Sequence, residues 1–230
     1  MKKIAIIPAF NEEKNIEKVI LSIRRWQPEF DIVVINDGSV DLTSSVARQT
    51  KQAMVIDLPA NIGIGGAVQT GFIYSRRKNY DLAVQIDGDG QHDAAEIEKL
   101  IEPIVNQKAD MVIGSRFLSQ SKYKGTTWRR LGIKIFALLN LIFLGEKITD
   151  STSGFRAFNR PAIEILSQDY PDDFPEPETI FLLKKKGLKV MEVPVSMNFR
   201  QAGRSSLTFF KSIYYMIKVT LAISILMLRK

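Results

Sequence analysis

Short apolar runs alternate with segments of helical spacing along the first half of the chain. Continuous runs rich in β-branched residues lie at 3–7, 31–35, 53–57, 81–86 and 110–114. The segments that place apolar residues at helical intervals are 12–26, 41–50, 64–78 and 94–107. Strands that are apolar without interruption are typical of a parallel sheet buried on both faces between helices. The pattern therefore predicts an α/β fold with a mostly parallel sheet flanked by helices.

The second half of the chain is less regular. Residues 149–158 form a polar, glycine-containing stretch that we interpret as a loop. A proline-rich acidic turn leads into a predicted helix at 171–187, and 189–199 predicts one or two further strands. No repeat or linker interrupts the sequence. This favours one domain at 1–206 followed by a membrane-associating helix at 207–230.

Polar and acidic residues follow nearly every predicted strand. These segments are PAFNEE at 8–13, NDGS at 36–39, DGDGQHD at 87–93 and SRF at 115–117. In a parallel sheet the carboxyl ends of the strands lie at one edge, where ligands bind. We therefore expect these segments to converge on one cleft.

The DGDGQHD segment is a candidate metal site. Asp87 and Asp89 are separated by one glycine, and two carboxylates this close stay ionised more readily when a divalent cation lies between them and an anionic ligand. Oxygen ligands favour Mg²⁺ or Mn²⁺, and either Gln91 or His92 would complete the shell. The alternative is a solvated acidic turn. The position directly after a buried strand favours the metal site.

Two other polar segments have more than one interpretation. Asp37 either forms a turn or helix cap or accepts a hydrogen bond from the base or ribose of a ligand, while Ser39 or Asp41 equally suits the cap of helix 41–50. The glycines of NIGIGGAVQTG, Gly63 among them, fit neither the dinucleotide fingerprint nor a P-loop. They are predicted to let a helix start approach the sheet or a ligand closely.

Charge and composition narrow the partners. The net charge of +7 is concentrated in 111–145 and 193–230, which mix basic residues with apolar runs and contain no acid. Because aliphatic rather than stacking aromatic residues fill these runs, a membrane surface is favoured over nucleic acid. Lys211 and Lys218 would share one face of a helix lying in the interface. The alternative is a pair of buried core helices.

Catalytic motifs of hydrolases are missing from the sequence. There is no cysteine, only one histidine, and neither a G-x-S-x-G nor an H-E-x-x-H motif. Arginine instead offers forked donors suited to phosphate. The candidates, all predicted in loops, are Arg116, Arg129, Arg156 and Arg200.

The segments PAFNEE, NDGS, DGDGQH, GSRF, DSTSGFR and RQAGRSS, in this order, resemble the family-2 inverting glycosyltransferases with the Rossmann-like GT-A fold. The nearest branch is the polyprenyl-phosphate sugar transferases, relatives of dolichol-phosphate mannose synthase. The resemblance extends from residue 4 to about residue 207. It implies a nucleotide-sugar donor, a divalent metal (Mg²⁺ or Mn²⁺) and a lipid-phosphate acceptor.

The resemblance also implies a role for each matching residue. Nucleotide-sugar binding falls to Pro8, Ala9, Glu12, Asp37, Gly63 and Asp87. Metal binding falls to Asp87, Asp89 and Gln91. The catalytic set is Asp89, Asp150 and Arg116. Acceptor and phosphate binding falls to Arg129, Arg130, Ser153, Arg156 and Arg200. Two positions depart from the family: Asn36 replaces the first residue of a frequent Asp pair, and Ser206 replaces a lysine.

The resulting expectation is an inverting transfer of a sugar to a polyprenyl phosphate at the cytoplasmic face of the cell membrane, for cell-envelope glycan synthesis. UDP-glucose or UDP-N-acetylglucosamine is the favoured donor, with GDP-mannose as the alternative. Family members often carry transmembrane helices after this point, whereas here we expect a peripheral attachment helped by homo-oligomerisation or a small membrane-protein partner. The competing interpretations are a transferase with a polysaccharide or protein hydroxyl acceptor and a non-catalytic nucleotide-binding regulator at the membrane.

Overall fold

The computed structural model of the chain describes residues 1–118, 148–171 and 175–198, together with Lys218. Its strands are β1 Lys3–Ala9, β2 Asp31–Asn36, β3 Met54–Asp57, β4 Leu82–Gln85, β5 Met111–Ser115, β6 Arg156–Asn159 and β7 Val190–Pro194. Its helices are α1 Ile16–Trp26, α2 Thr43–Gln49, α3 Gly63–Arg77, α4 Ile97–Val105, α5 Arg160–Leu166 and α6 Pro175–Lys185. A 3₁₀ turn at Ala94–Glu96 precedes α4.

The strands form one seven-stranded sheet in the order β3-β2-β1-β4-β6-β5-β7. β6 runs antiparallel to its neighbours β4 and β5, and the other pairings are parallel. Arg156, the first residue of β6, is level with Gln85 and Ile113 near the ends of β4 and β5. The start of β6 therefore lies at the same edge as the carboxyl ends of the other strands. The predicted α/β fold is confirmed.

Apolar cores cover both faces of the sheet. In β1, Ile4 and Ile6 face the core that contains α3, α5 and α6, whereas Ala5 and Ile7 face the core that contains α1, α2 and α4. Both sets are fully buried. This two-sided burial explains why the strand sequences are apolar without alternation.

Helix α1 illustrates how the sequence pattern specifies packing. Its buried residues Ile16, Val19, Ile20 and Ile23 follow the i, i+3, i+4, i+7 spacing of one helical face. Burying a side chain of this size stabilises the fold by about 1.5–3 kcal/mol. The opposite face carries charged residues, so the helix lies at the surface with one stripe against the sheet.

Two predicted elements differ from the structure. The helix expected at 12–26 begins only at Ile16, because Asn11 has a φ of 56° and the preceding residues form a turn whose Glu12 N–H donates to Thr43 Oγ1 over 2.8 Å. The loop expected at 149–158 is wrong in its last residues, since Arg156 opens β6. A strand of four residues that begins with arginine and ends with asparagine has no recognisable alternation.

The later predictions are mostly consistent with the described residues. The predicted strand region 189–199 contains β7 and a single bridge between Met197 and His92. No helix within the described part of the chain is long and apolar enough to span a membrane. The predicted membrane-associating helix at 207–230 lies outside the described residues, apart from Lys218.

Candidate active site

The residues predicted to bind a nucleotide sugar lie together at the edge formed by β1 and β2. Pro8 and Ala9 are the last residues of β1, and the Ala9 carbonyl accepts a hydrogen bond from the Asp37 N–H over 2.9 Å. Glu12 follows β1 and is half-buried, and its carboxylate accepts from the Asn15 side chain over 2.7 Å.

Asp37 caps helix α3. Its carboxylate accepts from the backbone N–H groups of Ile62 (2.8 Å) and Gly63 (3.0 Å), so two of the residues predicted in one pocket are bonded to each other. Gly63 has a φ of 85°, which favours glycine. Asp41 takes the role anticipated for a cap of α2, because its carboxylate accepts from the Thr43 N–H over 3.0 Å. A carboxylate has about four lone-pair sites, so Asp37 retains acceptor capacity beyond the cap.

The carboxylate of Asp87 lies between a backbone and a ring. A Cβ added to Gly154 would approach Asp87 Oδ1 to 3.0 Å, so the glycine leaves the space that this carboxylate needs. On the other side, His92 Nδ1 accepts the Asp87 N–H over 3.0 Å. The ring proton therefore lies on Nε2, which faces Asp87 Oδ2 at 3.6 Å. Stacking on Phe155, with ring centroids 4.8 Å apart, fixes the imidazole plane.

The DGDGQH turn carries oxygen atoms that could bind a metal, and hydrogen bonds hold its backbone in place. Asp89 is 8% exposed, and its Oδ1 accepts the Gln91 N–H over 3.0 Å. The Gln91 carbonyl accepts the Asn198 N–H over 2.8 Å. Within the described ranges, no group of three or more histidine, cysteine, aspartate or glutamate side chains is placed so that it could hold a metal ion by itself. Two carboxylates and an amide fit a Mg²⁺-type ion that takes its remaining ligands from a phosphate-bearing ligand.

A second charged cluster follows β5. The Asp150 carboxylate accepts from Arg116 Nε over 2.7 Å and from Arg116 Nη2 over 2.6 Å, and it also accepts the Arg116 backbone N–H over 3.0 Å. The Asp150 side chain is 0% exposed, whereas the Arg116 side chain is 15% exposed. This geometry assigns the Asp150 oxygens to Arg116, and of the two side chains only that of Arg116 is partly exposed.

Glu192 on β7 holds the backbone that carries Asp150. Its carboxylate accepts the Thr149 N–H over 2.7 Å and the Asp150 N–H over 2.6 Å. Burial raises the pKa of Glu192 above its ordinary value, the two backbone donors partly offset this, and the negative charge of Asp150 adds to the rise.

Replacing Glu192 with glutamine is expected to remove a pH-dependent part of the stability. Because the folded-state pKa is raised, the carboxyl stabilises the fold fully below the unfolded pKa of about 4.3 and loses this contribution as pH rises through the folded pKa. The free energy of unfolding of the wild type minus that of Glu192→Gln should therefore fall with rising pH and then level off. Urea denaturation at a series of pH values measures this difference. A difference that grows with pH would contradict the raised pKa.

The remaining predicted phosphate-binding residues fall into two groups. Ser153 donates to the Gly114 carbonyl over 2.7 Å, and Arg156 donates to the carbonyls of Ser151 and Glu176 over 2.8 and 2.7 Å. Both side chains are about 1% exposed, so in this structure they brace the loop. Other predicted residues lie outside the described residues, namely Arg129, Arg130 and Arg200.

Sequence reasoning missed three features of the site. Glu192 lies in a run of residues that is otherwise typical of a strand. An acidic residue in such a strand was the signal that could have indicated its role. Gly154 was recognised only as a loop glycine, and its contact with Asp87 depends on the antiparallel strand β6. Glu176 lies near the site, where burial raises the pKa of its carboxyl and the charge of Arg156 opposes the rise.

The chain matches a known protein family. The family described as Glycosyl transferase family 2 matches residues 4–166, a span that contains β1 to β6 and the DGDGQH turn. The chain therefore belongs to glycosyl transferase family 2 and is a glycosyltransferase. The predicted family and enzyme class are confirmed.

Individual relatives cover nearly the whole chain. The UDP-N-acetylglucosamine–dolichyl-phosphate N-acetylglucosaminyltransferase of Methanococcus voltae is 29% identical over 91% of this chain and 92% of its own length. The polyprenol monophosphomannose synthase of Mycolicibacterium smegmatis is 30% identical over 90% of this chain and 81% of its own.

A solved structure shares the architecture. Glucosyl-3-phosphoglycerate synthase from Mycobacterium tuberculosis, in complex with Mn²⁺, UDP and phosphoglyceric acid, superimposes with a TM-score of 0.73. The match covers 98% of this chain and 78% of that one at 18% identity. At this identity the likeness shows the shared GT-A fold alone.

Proposed function

We propose that the protein transfers a sugar from a nucleotide sugar to a polyprenyl phosphate at a membrane surface. The observation that carries the proposal is the similarity, over 91% and 90% of the chain, to two proteins whose names give a dolichyl phosphate and a polyprenol as acceptors. A polyprenyl chain stays in the bilayer, so the enzyme would work at the membrane, on its cytoplasmic face, in the synthesis of cell-envelope glycans.

A uridine nucleotide is the favoured donor. The Methanococcus relative is named for UDP-N-acetylglucosamine. UDP-glucose or UDP-N-acetylglucosamine is therefore proposed, with GDP-mannose as the alternative. Pro8, Ala9, Glu12, Asp37 and Gly63 would line the nucleoside side of the cleft.

A divalent cation, Mg²⁺ or Mn²⁺, is proposed to bind at the DGDGQH turn. Asp87, Asp89 and Gln91 would hold it, and their oxygen donors suit either ion. When bound, such an ion neutralises charge on the departing diphosphate. The cation would also explain why two aspartates are tolerated so close together, because its positive charge would offset the repulsion between the two carboxylates.

The chain's own residues suit an acceptor that is already anionic. A phosphate monoester has a second pKa of about 6, so at pH 7 its oxygen is mostly deprotonated and needs no strong general base. That oxygen would attack the anomeric carbon as the bond to the donor diphosphate breaks and the diphosphate leaves with the bonding electrons, which inverts the configuration. Arg116 would stabilise the negative charge that develops. Asp150, whose carboxylate is committed to Arg116, would act by holding that guanidinium.

Replacing Gly154 with alanine is expected to weaken metal binding while leaving the fold intact. The new methyl group would lie 3.0 Å from Asp87 Oδ1 and 3.1 Å from Oδ2, so the carboxylate must move. Changes next to metal ligands typically cost about 10–100-fold in affinity, and we expect the lower part of that range. Titration of Mn²⁺ in the presence of UDP, followed by electron paramagnetic resonance, measures the effect.

The melting temperature of Gly154→Ala provides the control. It should stay close to that of the wild type, because Gly154 does not need a positive φ. An unchanged Mn²⁺ affinity would show that Asp87 does not bind the ion or that its carboxylate relaxes without loss.

The proposed function is tested by transfer of labelled sugar. Purified protein is incubated with bacterial membrane lipids, Mn²⁺ or Mg²⁺, and a panel of tritiated UDP- and GDP-sugars, and the label extracted into organic solvent is counted. We expect label from one donor and none after addition of a chelator. Label in a water-soluble polymer instead would establish a hydroxyl acceptor, and no transfer to any acceptor would contradict the proposal.

A further inference from the structure

We propose that Glu192 is a positioning residue that holds Arg116 in its working orientation through Asp150. The inference rests on the proposed function, in which Arg116 stabilises charge in the transfer. The three side chains form one hydrogen-bonded series that starts on β7, crosses the 149–150 backbone and ends after β5. No side chain of the series is adjacent in sequence to the next, so the arrangement exists only in the folded protein.

The first link joins Glu192 to the loop backbone. One carboxylate oxygen accepts the Thr149 N–H over 2.7 Å and the Thr149 hydroxyl over 3.1 Å, and the other accepts the Asp150 N–H over 2.6 Å. Two consecutive amides held by the two oxygens of one carboxylate fix both the position and the direction of the loop.

The second link joins the loop to the guanidinium. Asp150 binds Arg116 through Nε and Nη2, and Nη2 also donates to Thr152 Oγ1 over 2.9 Å. A two-pronged contact of this kind sets the plane of the guanidinium as well as its distance. Because Asp150 is fully buried and cannot swing out to solvent, the orientation of Arg116 follows the backbone that Glu192 holds.

The sheet provides a rigid base for both ends of the series. Glu192 pairs with Ile113 on the parallel strand β5, three residues before Arg116. The strands therefore fix the separation between Glu192 and Arg116, and the 149–150 backbone that Glu192 binds lies between them. A role in mere chain packing would be filled equally well by an apolar side chain, whereas the Glu192 carboxyl supplies an acceptor oxygen to each of two consecutive amides.

The consequence of losing Glu192 is a misplaced guanidinium. Glutamine at this position offers one oxygen and turns its amide NH₂ towards the second backbone N–H, so the loop must move. A shift of about 1 Å in a positioning contact can cost about 10²-fold in rate. We expect Glu192→Gln to lower kcat by about 10–100-fold with a much smaller change in KM, since the donor pocket at β1 and β2 is untouched.

A double-mutant cycle tests the inference. Glu192→Gln and Arg116→Lys are measured singly and together, with Glu98→Gln on the exposed face of α4 as the matched control for loss of one carboxylate. If Glu192 acts through Arg116, its substitution should change kcat less than about threefold once Arg116 is already lysine. Independent, additive losses would overturn the inference, and so would a control that loses as much activity as Glu192→Gln.

A measurement without turnover separates this inference from the proposed function. The Nε–H resonance of Arg116, assigned by its disappearance in Arg116→Lys, should be protected from exchange in the wild type because it donates to Asp150. In Glu192→Gln it should shift and exchange at least tenfold faster, while Glu98→Gln leaves it unchanged. An unaltered resonance overturns the inference whether or not the enzyme is active. An inactive wild type with the expected spectral change contradicts only the proposed function.

Discussion

Asp89→Asn is expected to lower kcat/KM for sugar transfer by about 10²–10³-fold, the range seen when one preorganised group that stabilises charge is removed. Asp89 Oδ1 accepts the Gln91 N–H over 3.0 Å, and the amide oxygen of asparagine can accept the same bond. The turn should therefore persist while one negative charge is lost. The drop would then report weaker cation binding rather than a damaged fold.

Three measurements separate this explanation from unfolding. Transfer of label to lipid gives the rate, Mn²⁺ titration gives the affinity, and thermal melting gives the stability. The stability should equal or exceed that of the wild type, because removing one carboxylate relieves repulsion with Asp87. Asp169→Asn is the matched control, since Asp169 is exposed and distant in sequence from the predicted site. A variant with activity within threefold of the wild type would show that Asp89 is not needed for the cation.

Arg116→Met is expected to lower the free energy of unfolding by about 3–5 kcal/mol, because it leaves the Asp150 carboxylate buried without its charged partner. Methionine matches the arginine side chain as far as Nε and supplies no donor. Urea denaturation followed by tryptophan fluorescence measures the change. The loss should far exceed that of Arg160→Met, whose arginine forms its ion pairs at the surface with 45% of the side chain exposed.

The double variant Arg116→Met/Asp150→Leu tests the cause. If the cost arises from an unpaired buried charge, removing the charge as well should restore much of the stability, because replacing both members of a buried pair by apolar residues is often nearly neutral. The double variant would remain inactive in transfer. A double variant no more stable than Arg116→Met would show that an unpaired buried charge does not explain the loss.

The sequence predicts the elements whose residues follow a single physical rule, such as burial on both faces of the sheet. Continuous apolar runs predicted β1 to β5, and the convergence of the strand ends predicted that Asp37, Asp87 and Arg116 lie at one edge of the sheet. β6 escaped prediction because four residues buried between two strands carry no period. Its sequence is also typical of a loop, since an arginine such as Arg156 ordinarily lies at the surface.

The partners of the predicted residues were harder to predict than the residues themselves. Asp150 was expected near the sugar, yet its carboxylate binds Arg116 and is fully buried. Arg156 was expected to bind phosphate, yet it donates to backbone carbonyls. Such pairings depend on the register between distant strands, which local sequence does not encode.

The single reversed strand also acts as a spacer. β6 lies between β4 and β5, so the DGDGQH turn and Arg116 stand two strand separations apart, or about 10 Å. Hydrogen bonds on both sides of β6 hold this width against compression and expansion. The backbone of β6 therefore sets the distance between the two ends of the proposed cleft. Side chains at either end could differ, and with them the sugar or acceptor bound, while this distance would stay the same.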